Sequence, residues 1–150
     1  LQAWNPHQDN IYVKNSSSLN NGFTTQYLTT NFFLDSANKD NGTLYVYPGS
    51  HKFGLYEAEP NISYREKDDA NPGNKILEKY LTKFNKVDCI FDKGDLLILN
   101  GNLIHGSYPN KSNKSRPLLS VSYISQGESF ISGNNARREV RTLSGVLDDK

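Results

Sequence analysis

The chain has 150 residues, with 17 Lys and Arg against 16 Asp and Glu, so its formal net charge at pH 7 is +1. This length fits a single domain. The balance of charge predicts neither a nucleic-acid partner nor a membrane surface, and no apolar run reaches the ~18 residues of a transmembrane helix.

The single cysteine, Cys89, excludes an intrachain disulfide and predicts a reducing, cytoplasmic compartment. It lies in the β-type run VDCIF, and we interpret it as a core residue, because a reactive thiolate needs a cationic or histidine neighbour. The chain begins with Leu1 and contains no Met. We therefore expect a region that precedes residue 1 to be missing.

Short strand-type segments dominate the chain. They are rich in Thr, aromatic and β-branched residues and are separated by Gly, Asn and Pro turns. The predicted strands span residues 23–35, 43–48, 87–91, 96–100, 103–108 and 116–125. Before the second of them, Asn41-Gly42 supplies the positive φ that tight hairpins need. We expect LLILN, residues 96–100, to be buried on both faces, because it is almost entirely apolar.

Residues 55–86 have a different character. Within NKILEKYLTKF, residues 74–84, the apolar side chains recur at helical spacing. This predicts a helical insertion between strands. Many short strands with one helical insertion favour an all-β sandwich or barrel, and a jelly roll fits best.

A possible metal site begins in the polar stretch WNPHQDN, residues 4–10. In a strand, residues two apart point to the same face, so His7 and Asp9 would be aimed at one point. His105, in the apolar segment NLIHGSYPN, is a candidate third ligand from a distant strand. Two imidazoles and one carboxylate form the facial triad of non-haem Fe(II) oxygenases, which leaves open positions on the metal.

A 2-oxoglutarate co-substrate would also need a cation for its distal carboxylate. Arg116 begins the predicted strand that follows His105, and a guanidinium grips a carboxylate with two hydrogen bonds and keeps its charge. Ser107 lies two residues after His105, so it would face the same side and can donate a hydrogen bond.

Each of these residues has a simpler interpretation when taken alone. His105 could be a hydrogen-bonded core histidine, Arg116 a strand-end residue and Asp9 a turn residue. Their combination in one order favours the metal site. The third histidine, His51 in PGSH, is interpreted as a turn-fixing residue or a neighbour of the ligands. A cupin with histidine-rich ligation is disfavoured, because three histidines in these positions do not make its usual ligand set.

At the level of whole motifs, the sequence resembles the phytanoyl-CoA dioxygenase family of Fe(II)/2-oxoglutarate-dependent oxygenases. The matching stretches are HQD (7–9), DNGTLYVYPGSHK (40–52), KGDLLILNGNLIHGSYPNKS (93–112) and SRPLLSVSY (115–123). Together they extend over residues 7–123. The resemblance implies a double-stranded β-helix, the cupin-like form of the jelly roll, which agrees with the fold class favoured above.

The resemblance also implies roles for individual residues. The implied iron ligands are His7, Asp9 and His105. Arg116, with Ser107, would bind the distal carboxylate of 2-oxoglutarate. Gln8, between two ligands, would contact the co-substrate or the substrate. Asn31 stands where relatives often carry an aromatic residue facing the co-substrate, so we expect the pocket to differ locally there.

The implied activity is that of an enzyme. It would use Fe(II), 2-oxoglutarate and dioxygen to hydroxylate a small organic substrate, with release of succinate and CO2. Asp9 favours hydroxylation over halogenation, because halogenating relatives replace the carboxylate ligand by a small residue. The family's name does not predict the substrate here, since the sequence has no basic cluster for a CoA nucleotide.

Relatives carry a long N-terminal region before the His-x-Asp motif. We therefore expect residues 1–150 to form a single oxygenase core domain without that region. The alternative is a non-catalytic jelly-roll binding module or an inactive oxygenase fragment.

Overall fold

The computed structural model describes residues 3–13, 27–56 and 79–125. Within these residues the strands are β1 (Trp4–His7), β2 (Tyr27–Phe33), β3 (Leu44–Val46), β4 (Val87–Asp88), β5 (Leu96–Asn100), β6 (His105–Ser107) and β7 (Leu118–Ile124). Two short 3-10 helices span Asp9–Tyr12 and Ser50–Phe53. None of the helices in these ranges is long and apolar enough to cross a membrane.

The strands form two sheets, one of four strands in the order β1-β6-β3-β4 and one of three in the order β5-β2-β7. All neighbouring strands are antiparallel. The chain changes sheet at nearly every step, so strands far apart in sequence become neighbours. The prediction of an all-β jelly roll is confirmed.

The local predictions agree with the structure in most places. Strand β5 has the predicted bounds, and Gly42 takes the predicted positive φ, at 90°. The expected hairpin around this turn is wrong, because β2 and β3, the strands on either side of it, lie in different sheets. A Cβ at Gly42 would lie 3.0 Å from the backbone oxygen of Tyr108, so this turn also needs glycine for its close approach. Most of the predicted helical insertion lies outside the described residues. Only residues 79–81, near its C-terminal end, are seen as helix.

The interior between the sheets is apolar at one end and polar at the other. One buried apolar cluster consists of Phe33, Ala37, Leu44 and Leu99. Phe33 also stacks on Phe91, with ring centroids 3.9 Å apart. Farther along the inward face of β2, Thr29 and Asn31 are buried as well. The inward face of β2 therefore carries apolar core residues at one end and buried polar residues at the other.

The outward face of the three-stranded sheet is apolar and exposed. The strand register places Phe32 beside Leu96 and Leu119. Leu96 is 57% exposed and Ile98 is 58% exposed. The expectation that residues 96–100 are buried on both faces is therefore wrong, because nothing in the described part of the chain packs on this side. A contiguous apolar face is typical of a surface that contacts other polypeptide.

A matched pair of substitutions tests this division of β2. We expect Phe33→Ala to lower the free energy of unfolding by about 3–5 kcal/mol, because it leaves a cavity in the core. Phe32→Ala, at an exposed position one residue away, should lower it by about 1 kcal/mol or less. Urea unfolding measures both. Equal losses would contradict the assignment of these two side chains to opposite faces.

Candidate metal centre

Strands β1 and β6 bring two histidines side by side. His7 lies opposite His105 in the antiparallel pair, and their ring centroids are 4.4 Å apart. Both side chains are buried. Nδ1 of His7 lies 2.7 Å from the backbone oxygen of Asn5, and Nδ1 of His105 lies 3.0 Å from that of Leu103. When Nδ1–H donates in this way, the lone pair of Nε2 is available for a metal.

Asp9 reaches the two histidines from a turn. It is the first residue of the 3-10 helix Asp9–Tyr12, whereas the sequence argument placed it on a strand face. Its Oδ1 lies 3.5 Å from Nε2 of His7 and 3.9 Å from Nε2 of His105. One ligand atom from each residue lies within 4.8 Å of the other two, a grouping that could hold a metal ion. His7, Asp9 and His105 converge as predicted, although a turn and not a strand brings Asp9 to the histidines.

The protonation states of Asp9 and His105 suit metal binding. Burial by itself would raise the pKa of Asp9, but the neighbouring His105 and His7 and the hydrogen bond from Thr29 outweigh it, so the pKa is lowered. Burial and the neighbouring His7 lower the pKa of His105 by more than Asp9 raises it. At neutral pH, Asp9 is therefore ionised and His105 neutral, as metal ligands must be.

The cluster opens into a cavity of about 540 Å3 between the two sheets. Asn31, Ser107 and Arg116, the residues predicted to bind a co-substrate, all line this cavity. The cavity is also lined by residues that the sequence did not indicate, among them Trp4, Tyr12, Tyr27, Thr29, Ser120 and Ser122. A signal for some of them was available, since polar residues alternate at inward positions along β2 and β7.

Arg116 carries a guanidinium that the described residues do not neutralise. Its Nε and Nη1 atoms are buried without a hydrogen-bond partner in these parts of the chain. Burial lowers the pKa of Arg116, but a guanidinium keeps its charge at physiological pH. A buried charge without a partner is unfavourable. The cavity thus offers a site for an anionic group.

Ser107 faces the same cavity from β6. Its Oγ accepts a hydrogen bond from the backbone N–H of Trp4 at 3.2 Å. The hydroxyl therefore still has a proton to donate to a ligand.

Gln8 is buried, but it does not line the cavity. Its Nε2 donates to the backbone oxygens of Gly54 at 2.9 Å and Asn102 at 2.6 Å, and its Oε1 accepts from the N–H of Tyr56 at 2.8 Å. The predicted contact with the co-substrate stays a prediction. The observed contacts use this amide to fasten the end of β1 to two other loops.

The PGSH turn contacts the residue that precedes His105. Ser50 is fully buried, and its Oγ accepts a hydrogen bond at 2.9 Å from the N–H of Ile104, the residue before His105. His51 is neither in the metal-binding cluster nor in the cavity lining among the described residues. These positions agree with the interpretation of this motif as structural.

Comparison with known proteins supports the motif-level resemblance. The sequence model of the phytanoyl-CoA dioxygenase (PhyH) family matches residues 2–118. "Phytanoyl-CoA dioxygenase 1" of Oryza sativa subsp. japonica is 32% identical over 121 residues, which cover 79% of this chain and 38% of the rice protein. The chain thus spans well under half the length of this relative.

Solved structures show the same fold. The alpha ketoglutarate dependent carbocyclase SnoK aligns with a TM-score of 0.61 and 17% identity, over 89% of this chain and 47% of its own. The epimerase SnoN, in complex with Fe3+, alpha ketoglutarate and nogalamycin RO, aligns with a TM-score of 0.59 and 18% identity, over 95% of this chain and 55% of its own.

The role of Gln8 can be tested without any ligand. We expect Gln8→Ala to lower the free energy of unfolding by about 3 kcal/mol, because buried backbone groups lose their partners. Asn85→Ala, at an exposed amide, serves as the control and should change stability by less than about 0.5 kcal/mol. Unfolding of the protein without metal and co-substrate measures both variants. An unchanged stability for Gln8→Ala would instead favour direct contact with a ligand.

Proposed function

Because the chain belongs to the phytanoyl-CoA dioxygenase family, we propose that it forms the core of an Fe(II)- and 2-oxoglutarate-dependent dioxygenase that hydroxylates a small organic substrate. The observation that carries this proposal is one cavity with two features. It contains the cluster His7, Asp9 and His105, and it contains the partly buried guanidinium of Arg116.

The donor set fits Fe(II), the metal that the family uses. Two imidazole nitrogens and one carboxylate oxygen on one side leave positions for a co-substrate and dioxygen. The chemistry that bound iron supplies is oxidative decarboxylation of 2-oxoglutarate to succinate and CO2, coupled to oxygen insertion into a C–H bond. The protein's part is to hold the three ligands in place, and the hydrogen bonds of both Nδ1 atoms serve that purpose.

The other polar groups of the cavity suit 2-oxoglutarate. Arg116 would bind the distal carboxylate, with Ser107 donating a further hydrogen bond. Asn31, on the inward face of β2, would present an amide to the co-substrate where relatives often have an aromatic ring. The three residues lie on β2, on β6 and just before β7, so the co-substrate would be held between the two sheets.

The size and walls of the cavity suit a small molecule. Its volume of about 540 Å3 lies within the range of small-ligand sites. Trp4, Tyr12 and Tyr27 provide aromatic surface that would exclude water and contact the substrate. The near-neutral charge gives no reason to include nucleic acid or a membrane among the partners, and the single cysteine supports a cytoplasmic location.

The alternative function is a non-catalytic jelly-roll binding module or an inactive oxygenase fragment. Anaerobic titration with Fe(II) and 2-oxoglutarate separates the two functions. A visible charge-transfer band, followed by succinate on admission of oxygen, supports the dioxygenase. Absence of both the band and succinate would support the binding module.

The metal site gives a prediction for the histidines. We expect His105→Ala to abolish Fe(II) binding and turnover, because two remaining ligands hold the metal poorly. His51→Ala, which removes a histidine outside the cluster, should retain both. Equilibrium dialysis with Fe(II) under anaerobic conditions measures binding. Loss of iron from the His51 variant alone would overturn the assignment.

The co-substrate site gives a prediction for Arg116. We expect Arg116→Ala to lower the affinity for 2-oxoglutarate by about 10- to 100-fold, since hydrogen bonds to a charged group are lost. Fe(II) binding should remain. Arg116→Lys keeps the charge without the two-pronged geometry, so we expect an intermediate loss. Titration of the charge-transfer band measures the affinity. An unchanged affinity in the alanine variant would show that Arg116 does not bind the co-substrate.

A further inference from the structure

One side chain from the opposite sheet contacts the metal-binding cluster. Thr29, at the middle of β2, donates a hydrogen bond from its hydroxyl to Oδ2 of Asp9 at 2.7 Å. Thr29 is buried and lines the cavity. The other oxygen of the same carboxylate, Oδ1, is the one that faces His7 and His105. The two oxygens of Asp9 therefore have different partners.

We propose that Thr29 is a positioning residue for the metal centre, whose hydroxyl holds Oδ2 of Asp9 and limits the carboxylate to one metal-binding oxygen, Oδ1. This inference rests on the proposed function, because it assumes that the cluster binds a metal.

The aspartate needs such a contact more than the histidines do. Each histidine ring is fixed by a backbone oxygen two residues earlier in the chain. Asp9 lies on a 3-10 turn. Its Oδ1 faces the two histidines, and its Oδ2 accepts a hydrogen bond from Thr29. A carboxylate can bind a metal through one or both oxygens. With Oδ2 already engaged, Asp9 occupies one position and leaves more of the metal open.

The position of Thr29 makes this contact rigid. It is paired with Leu99 of β5 on one side and with Ser122 of β7 on the other, in the central strand of its sheet. The backbone of Thr29 is therefore held by hydrogen bonds to strands on both sides. Through it, the three-stranded sheet fixes a ligand that belongs to the first loop of the other sheet.

The test uses Co(II) as the probe metal, because its visible spectrum reports coordination geometry without turnover. Thr29→Val keeps the shape of the side chain and removes the hydroxyl, whereas Thr29→Ser keeps the hydroxyl. Thr30→Val is the control on the same strand. It removes a hydroxyl whose hydrogen bond goes to the backbone oxygen of Val121 at 3.3 Å, at an exposed site.

We expect Thr29→Val to weaken Co(II) binding by about 10- to 100-fold, as loss of contacts behind metal ligands does, and to change the spectrum of the bound metal. Thr29→Ser and Thr30→Val should match the unaltered protein in both measurements. Circular dichroism checks folding. If the valine variant does not fold, Thr29→Ala is compared with Thr29→Ser, since those two differ only by the hydroxyl.

Two failures can be told apart. If the unaltered protein and Thr29→Val bind Co(II) with equal affinity and equal spectra, the role of Thr29 is overturned and the metal site stands. If the unaltered protein binds no Co(II), the proposed metal site is overturned and the role of Thr29 with it.

Discussion

The antiparallel pairing of β1 with β6 is the constraint on which the rest of the site depends. It places His7 opposite His105, two residues that are far apart in the sequence. The register between the strands shifts between Trp4 and His7, where an irregularity interrupts the ladder. Such irregularities redirect side chains next to functional sites. The pairing also puts Trp4 opposite Ser107, so both ends of β1 face the cavity.

A polar interior must be stabilised by its own hydrogen bonds. Buried amides and hydroxyls are unfavourable unless they are paired. Around the metal-binding cluster, Gln8 and Ser50 meet this requirement by bonding to backbone groups of neighbouring loops. Asn10 and Asn102 add a bond to each other at 2.9 Å, with both side chains fully buried. These contacts lie outside the cavity and hold the strand ends that carry the ligands. The apolar cluster around Phe33 contains none of these four residues.

The two sheets contribute different parts of the site. The four-stranded sheet carries the histidines, and the turn after β1 carries Asp9. The three-stranded sheet provides Thr29 and Asn31, and Arg116 precedes its last strand. The geometry of the proposed metal site and of the proposed anion site thus depends on how the sheets are stacked. The outer face of the three-stranded sheet is exposed, because nothing in the described part of the chain packs on it.

The sequence by itself determined where strands β2 to β7 lie, the positive φ of Gly42 and the residues that form the cluster. Residue type and period are local properties, and the motifs order the ligands along the chain. Only the tertiary structure decided how they meet. In the structure, Asp9 lies on a turn and not on a strand, and Gln8 bonds to backbone groups. Leu96 and Ile98 are exposed, and Thr29 donates a hydrogen bond to Oδ2 of Asp9. These features depend on pairings between distant strands and on the stacking of two sheets. Such long-range geometry is set by the packing of the whole domain, and a local pattern does not encode it.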